Sequence, residues 1–302
     1  MAFTAQDVQA LREKTGCGMM DCKKALTEAD GNMDKAVELL REKGLAAAAK
    51  KSGRIAAEGI VVSVIEGKVG AVVEVNAETD FVAKNEQFIE FANTVAKTVI
   101  EKNPASVEDL ENTVASGETM TVIEMLREKI LTIGENMKVR RFARLEGNLV
   151  AYVHGGGRIG VMVRFDTAGG VESKPEFVEF AKDIAMQVAA AAPSFLNKDG
   201  ISAEELSKEK EILLAQALNE GKPEAVATKM VEGRINKYYK DVCLVEQAFI
   251  KDGEISVAKH CDNVAKALGG EIKIAEFVRF EKGEGIEKRA DNFADEVASM
   301  VK

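Results

Sequence analysis

The sequence carries an internal duplication. Two short β-branched runs, 60–65 and 69–75, are joined by Glu66-Gly67-Lys68 in the manner of a β-hairpin. A helix follows with Phe88, Phe91, Ala92, Val95 and Val99 on one face, opened by Asn85 as a cap. The same order returns with runs 149–153 and 159–165, then a helix carrying Phe177, Phe180, Ala181, Ile184 and Val188. Phe88-Ile89-Glu90-Phe91-Ala92 is answered by Phe177-Val178-Glu179-Phe180-Ala181. Gly134-Glu135 through Val139, Phe142 and Arg144 is answered by Gly270-Glu271 through Ile274, Phe277 and Arg279. Each half therefore predicts a hairpin, a helix, an intervening stretch and a closing strand. A three-stranded antiparallel sheet backed by helices satisfies that order, so the core is α+β and built twice.

Around this core the pattern is helical. Thr4 caps a first helix with Val8 and Leu11 inward, broken by Gly16 and Gly18; a second follows Asp21 with Cys22, Ala25 and Leu26, and stops at Asp30-Gly31-Asn32. A third carries Met33, Ala36, Val37 and Leu40 and is expected to end at Gly44, leaving 45–54 as an Ala- and Lys-rich connector. A highly charged segment, 202–239, inserts two helical stretches around Gly221-Lys222-Pro223 and predicts an antiparallel helical hairpin that protrudes or pairs with another chain. Phe293, Ala294, Val297 and Met300 share a face of a predicted last helix. The resulting division is 1–54 (three helices and linker), 55–145 (first core half), 146–201 with 241–289 (second core half), 202–240 (inserted hairpin) and 290–302 (C-terminal helix).

Composition excludes several classes of function. The 302 residues suggest about two domains, and 46% apolar with 30% charged residues is a folding composition. The net charge of −9, with Lys and Arg interleaved among Glu, leaves no basic face for phosphates, so nucleic acid is not expected as a direct partner. The longest uncharged stretch, 184–197, is shorter and more polar than the ~20 apolar residues of a membrane span. No charged-then-apolar leader precedes Thr4, and the expectation is a cytoplasmic protein without a membrane partner. Cys17 and Cys22 lack a second pair or a nearby His, so reduced, packed thiols are expected rather than a zinc site.

Gly155-Gly156-Gly157-Arg158-Ile159-Gly160 fits G-x-G-x-x-G, but the strand-like Val161-Met162-Val163 follows where a dinucleotide site needs a helix. It reads as a hairpin turn, and no P-loop motif occurs. The chain is therefore expected to bind no nucleotide or other cofactor itself. Neither His154 nor His260 belongs to a Ser-His-Asp set or a metal spacing, and no enzyme chemistry is expected. His260 reads as packing; His154, at a hairpin tip, is either a displayed side chain or an ordinary turn residue. Met19-Met20, in the break after Gly18, is either an adaptable surface for a partner or a contributor to the small helical core. Thr79-Asp80-Phe81-Val82-Ala83-Lys84-Asn85 lies between strand and helix, with Thr79 able to cap a short helical turn. Its counterpart, Asp166-Thr167-Ala168-Gly169-Gly170, has no Asp-Phe pair. A residue needed by a duplicated fold belongs in both copies, so the asymmetry favours a function, with packing against a neighbouring unit as the alternative.

Arg12-Glu13-Lys14-Thr15-Gly16 with Gly18-Met19-Met20-Asp21-Cys22-Lys23-Lys24-Ala25-Leu26 resembles the start of the bacterial translation elongation factor Ts family. Thr79-Asp80-Phe81-Val82-Ala83-Lys84, His154-Gly155 with Arg158-Ile159-Gly160-Val161, Lys229-Met230-Val231-Glu232-Gly233-Arg234 and Gly283-Glu284-Gly285-Ile286-Glu287-Lys288 are similar to it too, so the likeness spans nearly the whole chain. After His154 the chain has an extra glycine where some members read His-Gly-Ala-Arg. The resemblance implies a three-helix, ubiquitin-associated-like N-terminal domain, two related α+β core subdomains, a coiled-coil hairpin and a C-terminal helical module. It implies nucleotide exchange on the GTPase elongation factor Tu, with Thr79, Asp80, Phe81 and Val82 disturbing the partner's magnesium and nucleotide site. Arg12, Met19, Met20 and His154 would supply further contacts. A homodimer and a 1:1 heterodimer both stay open.

Overall fold

A computed structural model describes residues 3–287 of the chain. Helix α1 (Ala5–Thr15) starts at a capping box in which Thr4 and Asp7 satisfy each other's backbone N–H, and ends at Gly16 in the left-handed region. Helices α2 (Met19–Glu28) and α3 (Met33–Lys51) complete a small unit around Val8, Leu11, Cys22, Leu26, Ala36 and Leu40. Two expectations are corrected here. First, α2 begins at Met19 instead of after Asp21, so Met19 and Met20 form its first turn. Second, α3 does not stop at Gly44 but runs on to Lys51, through most of the expected connector, whose alanines and lysines are good helix formers. Gly44 is a contact point: a Cβ there would lie 3.4 Å from the Arg127 carbonyl oxygen.

The first core half is a sheet of β1 (Glu58–Glu66), β2 (Val69–Ala77) and β3 (Met137–Glu146), antiparallel and in that order. Between β2 and β3 come α4 (Asp80–Ala83), α5 (Glu86–Lys102), α6 (Val107–Asn112) and α7 (Val122–Ile133). Asn85 caps α5, its side-chain oxygen accepting the Gln87 and Phe88 N–H groups. The second half repeats the plan with β4 (Asn148–His154), β5 (Ile159–Ala168) and, after the long helix α8 (Pro175–Ala191), helices α9 (Ala203–Asn219) and α10 (Glu224–Val242). A two-stranded ribbon of β6 (Ala248–Phe249) and β7 (Asp252–Ser256), then α11 (Val257–Leu268) and β8 (Glu271–Glu281), complete it. Sheet order is β4-β5-β8, antiparallel. The copies share even an irregularity: the register shifts between Glu74 and Val75 in one sheet and between Arg164 and Phe165 in the other.

The two sheets stack face to face, with helices on both outer sides. Ile60, Val62 and Val73 point to α5 and α7 with Phe88 and Phe91. Phe165, Phe177, Phe180 and Ile184 form the equivalent outer core of the second half. Val61, Val72, Leu145 and Met162 fill the layer between the sheets. Gly70 and Gly160 permit this approach, since a Cβ would run into Met162 at the first and Val61 at the second. Burial on both faces explains why β2 reads as a near-continuous apolar run. Helices α9 and α10 pair through Ala217, Ala227, Val231 and Ile235, with Arg234 bridging back to Glu220 at 2.8 Å. The helix expected over residues 290–300 lies outside the described residues. No helix among the described residues is long and apolar enough to cross a membrane.

Candidate functional site

The starts of β1 and β3, the ends of β2, β4 and β8, and the start of β5 lie at one end of the stacked sheets. The sequence motifs gather there. Val61 N–H donates to the Gly157 carbonyl at 2.8 Å, which ties the β4–β5 hairpin to β1. Gly157, at φ +94°, sits against Ile60, so both its backbone angle and its missing side chain are used. Lys282, just past β8, donates its N–H to the Arg158 carbonyl and pairs through its ammonium with Glu58. The glycine run joins two strands and opens no helix, which is the hairpin turn expected from the sequence and not a dinucleotide cradle.

Helix α4 leaves the end of β2 as a single turn. Val82 is buried in the first outer core, while Phe81 is 79% exposed. Asp80 lies on the exposed side, and the Lys84 ammonium at 3.0 Å holds its carboxyl below the usual range, with Lys282 adding to the effect. Thr79 occupies the N-cap position but makes no capping bond, contrary to the expectation. Its hydroxyl donates instead to Glu135 at 2.7 Å, and its N–H donates to the same carboxylate at 3.0 Å. His154 is exposed, with its Nδ1 2.9 Å from the Tyr152 hydroxyl. Arg12 is exposed on α1; Met19 and Met20 are 44% and 64% exposed on α2. These three residues belong to the helical unit that α3 attaches to α7, and not to the strand end that carries Asp80, Phe81 and the hairpin of His154. His260 is a packing residue, stacked on Phe249 at 4.1 Å between centroids, and burial lowers its pKa.

Sequence reasoning missed the polar seam beneath this end of the molecule. Glu74, fully buried on β2, accepts from Asn76 and Arg140 at 3.0 Å, from the Gly283 N–H at 2.8 Å and from Arg141 at 2.6 Å. Burial alone would raise its pKa; these donors outweigh burial and hold it below the ordinary value. Arg141 also reaches Glu284 at 2.9 Å and lies over the Phe280 ring at 4.3 Å. The seam fastens the last described residues across both sheets. Its signal was available: a lone carboxylate inside Val72-Val73-Glu74-Val75 demands a buried cation. Among the described residues no group of three or more His, Cys, Asp or Glu is placed to hold a metal ion.

Fold and site together define a class: an α+β protein of two stacked, duplicated sheets, which presents an aromatic turn in one copy that the other copy lacks. A family model described as Elongation factor TS matches residues 78–284. The chain is 57% identical over 303 aligned residues to an elongation factor Ts of Clostridium perfringens, with 99% of each chain covered. It is 55% identical to one from a strain of Clostridium botulinum, again over 99% of both, and 53% identical to another over 99% of this chain and 98% of that one. The chain belongs to the elongation factor Ts family.

Proposed function

We propose that this protein is the guanine-nucleotide exchange factor for elongation factor Tu in translation elongation, acting in the cytoplasm. Family membership supports the partner, and the exposed Phe81 on a turn present in one copy only carries the reading of the site. Asp80 and Phe81, flanked by Thr79 and Val82, meet the partner's magnesium and nucleotide site. The hairpin tip with His154 lies at the same end of the molecule and extends that contact. Residues 1–54 act as a ubiquitin-associated-like docking domain through Arg12, Met19 and Met20. Residues 202–240 form a coiled-coil projection from the second core subdomain.

No side chain of the factor need react. A factor that binds the empty GTPase more tightly than the loaded one loosens nucleotide by the same ratio, because the coupling is reciprocal. Burying an aromatic anchor only in the nucleotide-free complex supplies that difference. The test is the rate of GDP release from purified elongation factor Tu with and without this protein. Acceleration at substoichiometric factor is expected; an unchanged rate at saturating factor overturns the reading.

A further inference from the structure

The loops that carry and face the Asp80–Phe81 turn are joined by a reciprocal clasp. Thr79 gives its N–H and its hydroxyl to the two oxygens of Glu135. Glu78 in turn accepts the Asn136 N–H at 2.5 Å and pairs with Arg54 at 3.3 Å, while the Asn136 amide donates to the Arg54 carbonyl at 2.7 Å. A four-residue helix without a side-chain cap has no stability of its own, so its direction is inherited from its anchors. Those anchors are the buried Val82 below and the Glu135 carboxylate behind. Bonds from N–H and O–H groups to an ionised carboxylate are the strong kind, and two to one residue fix the direction in which the chain leaves β2.

The second core half provides an internal control. Gly270-Glu271 repeats Gly134-Glu135, yet Glu271 is exposed at the start of β8. The turn beside it is Gly169-Gly170, and Gly169 packs against the Gly270 backbone. The repeated carboxylate is used as a clasp only in the half that displays Phe81.

We infer that Glu135 is a positioning residue for nucleotide exchange, holding Phe81 outward through Thr79 before the partner arrives; the inference rests on Asp80–Phe81 being the acting turn. A turn ordered in advance loses less freedom on binding. The loss from disrupting it falls on the maximal release rate, because the remaining docking contacts still bring the partners together.

The experiment is stopped-flow release of labelled GDP from elongation factor Tu over a range of factor concentrations. Glu135→Ala is expected to lower the maximal rate about tenfold, the equivalent of ~1.4 kcal/mol. The half-saturating concentration is expected to move by less than about threefold. Thr79→Val, which loses the hydroxyl donor, follows in the same direction, and Thr79→Ser, which keeps both donors to Glu135, slows release less than Thr79→Val does. In a Phe81→Ala background, Glu135→Ala adds less than about twofold, since there is no longer a ring to position. Full maximal rate in Glu135→Ala and Thr79→Val beside a slow Phe81→Ala overturns the positioning role and leaves the exchange reading standing. Equal slowing by Glu135→Ala with and without Phe81 also overturns it. Full rate in Phe81→Ala overturns the assignment of Asp80–Phe81 as the acting turn, on which the positioning role rests, while acceleration by the wild-type factor separately tests the exchange reading. Should Glu135→Ala fail to fold, the Thr79 pair alone decides the question.

Discussion

Replacing Glu74 with Gln places an amide where four donors converge on a carboxylate. Asn76, Arg140 and the Gly283 N–H address one oxygen, and Arg141 addresses the other. Whichever way the amide is turned, its NH₂ group faces donors, and two guanidinium groups lose their counter-charge. Breaking a buried ion pair from one side costs ~3–5 kcal/mol. Arg140 and Arg141 keep 24% and 30% side-chain exposure and stay partly hydrated, so the low end, ~3 kcal/mol, applies. At ~2–4 °C per kcal/mol for a large domain, the transition of the stacked sheets drops by roughly 6–12 °C. Scanning calorimetry at pH 7 reads this directly. The pH dependence gives an independent check. Glu74 is held below its ordinary value of 4.5, so its contribution is complete above that pH and is lost as pH falls through the depressed folded value. The gap between wild type and Glu74→Gln therefore narrows below pH 4.5. A variant melting within about 1 °C of wild type at pH 7 would refute the reasoning, because the seam would then contribute less than one exposed ion pair.

Three further outcomes are expected. Exchanging Met19 and Met20 together for Gln weakens the complex with elongation factor Tu by about tenfold in titration calorimetry, at a nearly unchanged melting temperature, since neither side chain belongs to the buried core of α1–α3. Unfolding of α1–α3 would instead mark them as core residues. Replacing residues 203–240 by a short linker keeps the two core halves folded, because Ser194 and Phe195 still pair with the Val242 carbonyl and Leu244 N–H with that of Phe195; loss of soluble protein would contradict this. His260 is kept neutral by burial against Phe180 and Phe249, so stability declines as pH falls below 6.5 toward its lower folded value. His260→Phe removes that part of the decline, and identical melting profiles between pH 7 and 5 would contradict the assignment.

The duplicated architecture was legible because it rests on local signals. Short β-branched runs, Gly-centred turns and Phe-bearing helical faces each repeat within a few residues of their predicted positions. Most of what escaped depends on residues distant in the chain. Gly44 reads as a stop in isolation, and only the backbone of Arg127 explains a glycine inside α3. Gly18 caps α2 without a side chain, so the start of that helix carried no mark. The hydroxyl of Thr79 had a local use as a cap, but Glu135, 56 positions later, offers a charged acceptor and wins. The stacking of the two sheets could have been read from β2, whose residues from Gly70 to Ala77 are all buried where a one-sided strand would alternate. At the site, the asymmetry between the copies picked out Asp80 and Phe81, and exposure of Phe81 agrees with it. Glu74 stood out as a lone carboxylate in an apolar strand without naming its partners, and Glu135 carried no mark at all, because its importance depends on Thr79, 56 positions away.

On the proposed reading Phe81, displayed on α4, supplies the energy difference that loosens nucleotide on the partner. The most direct measurement is stopped-flow release of labelled GDP from elongation factor Tu at saturating wild-type or Phe81→Ala factor. Truncating an aromatic anchor at an interface costs upwards of ~2 kcal/mol, which predicts release slowed by roughly 10–100-fold. The melting profile is expected to stay unchanged, because the ring is 79% exposed and the second half folds without a counterpart. A correctly folded Phe81→Ala variant that releases GDP at the wild-type rate would contradict the claim.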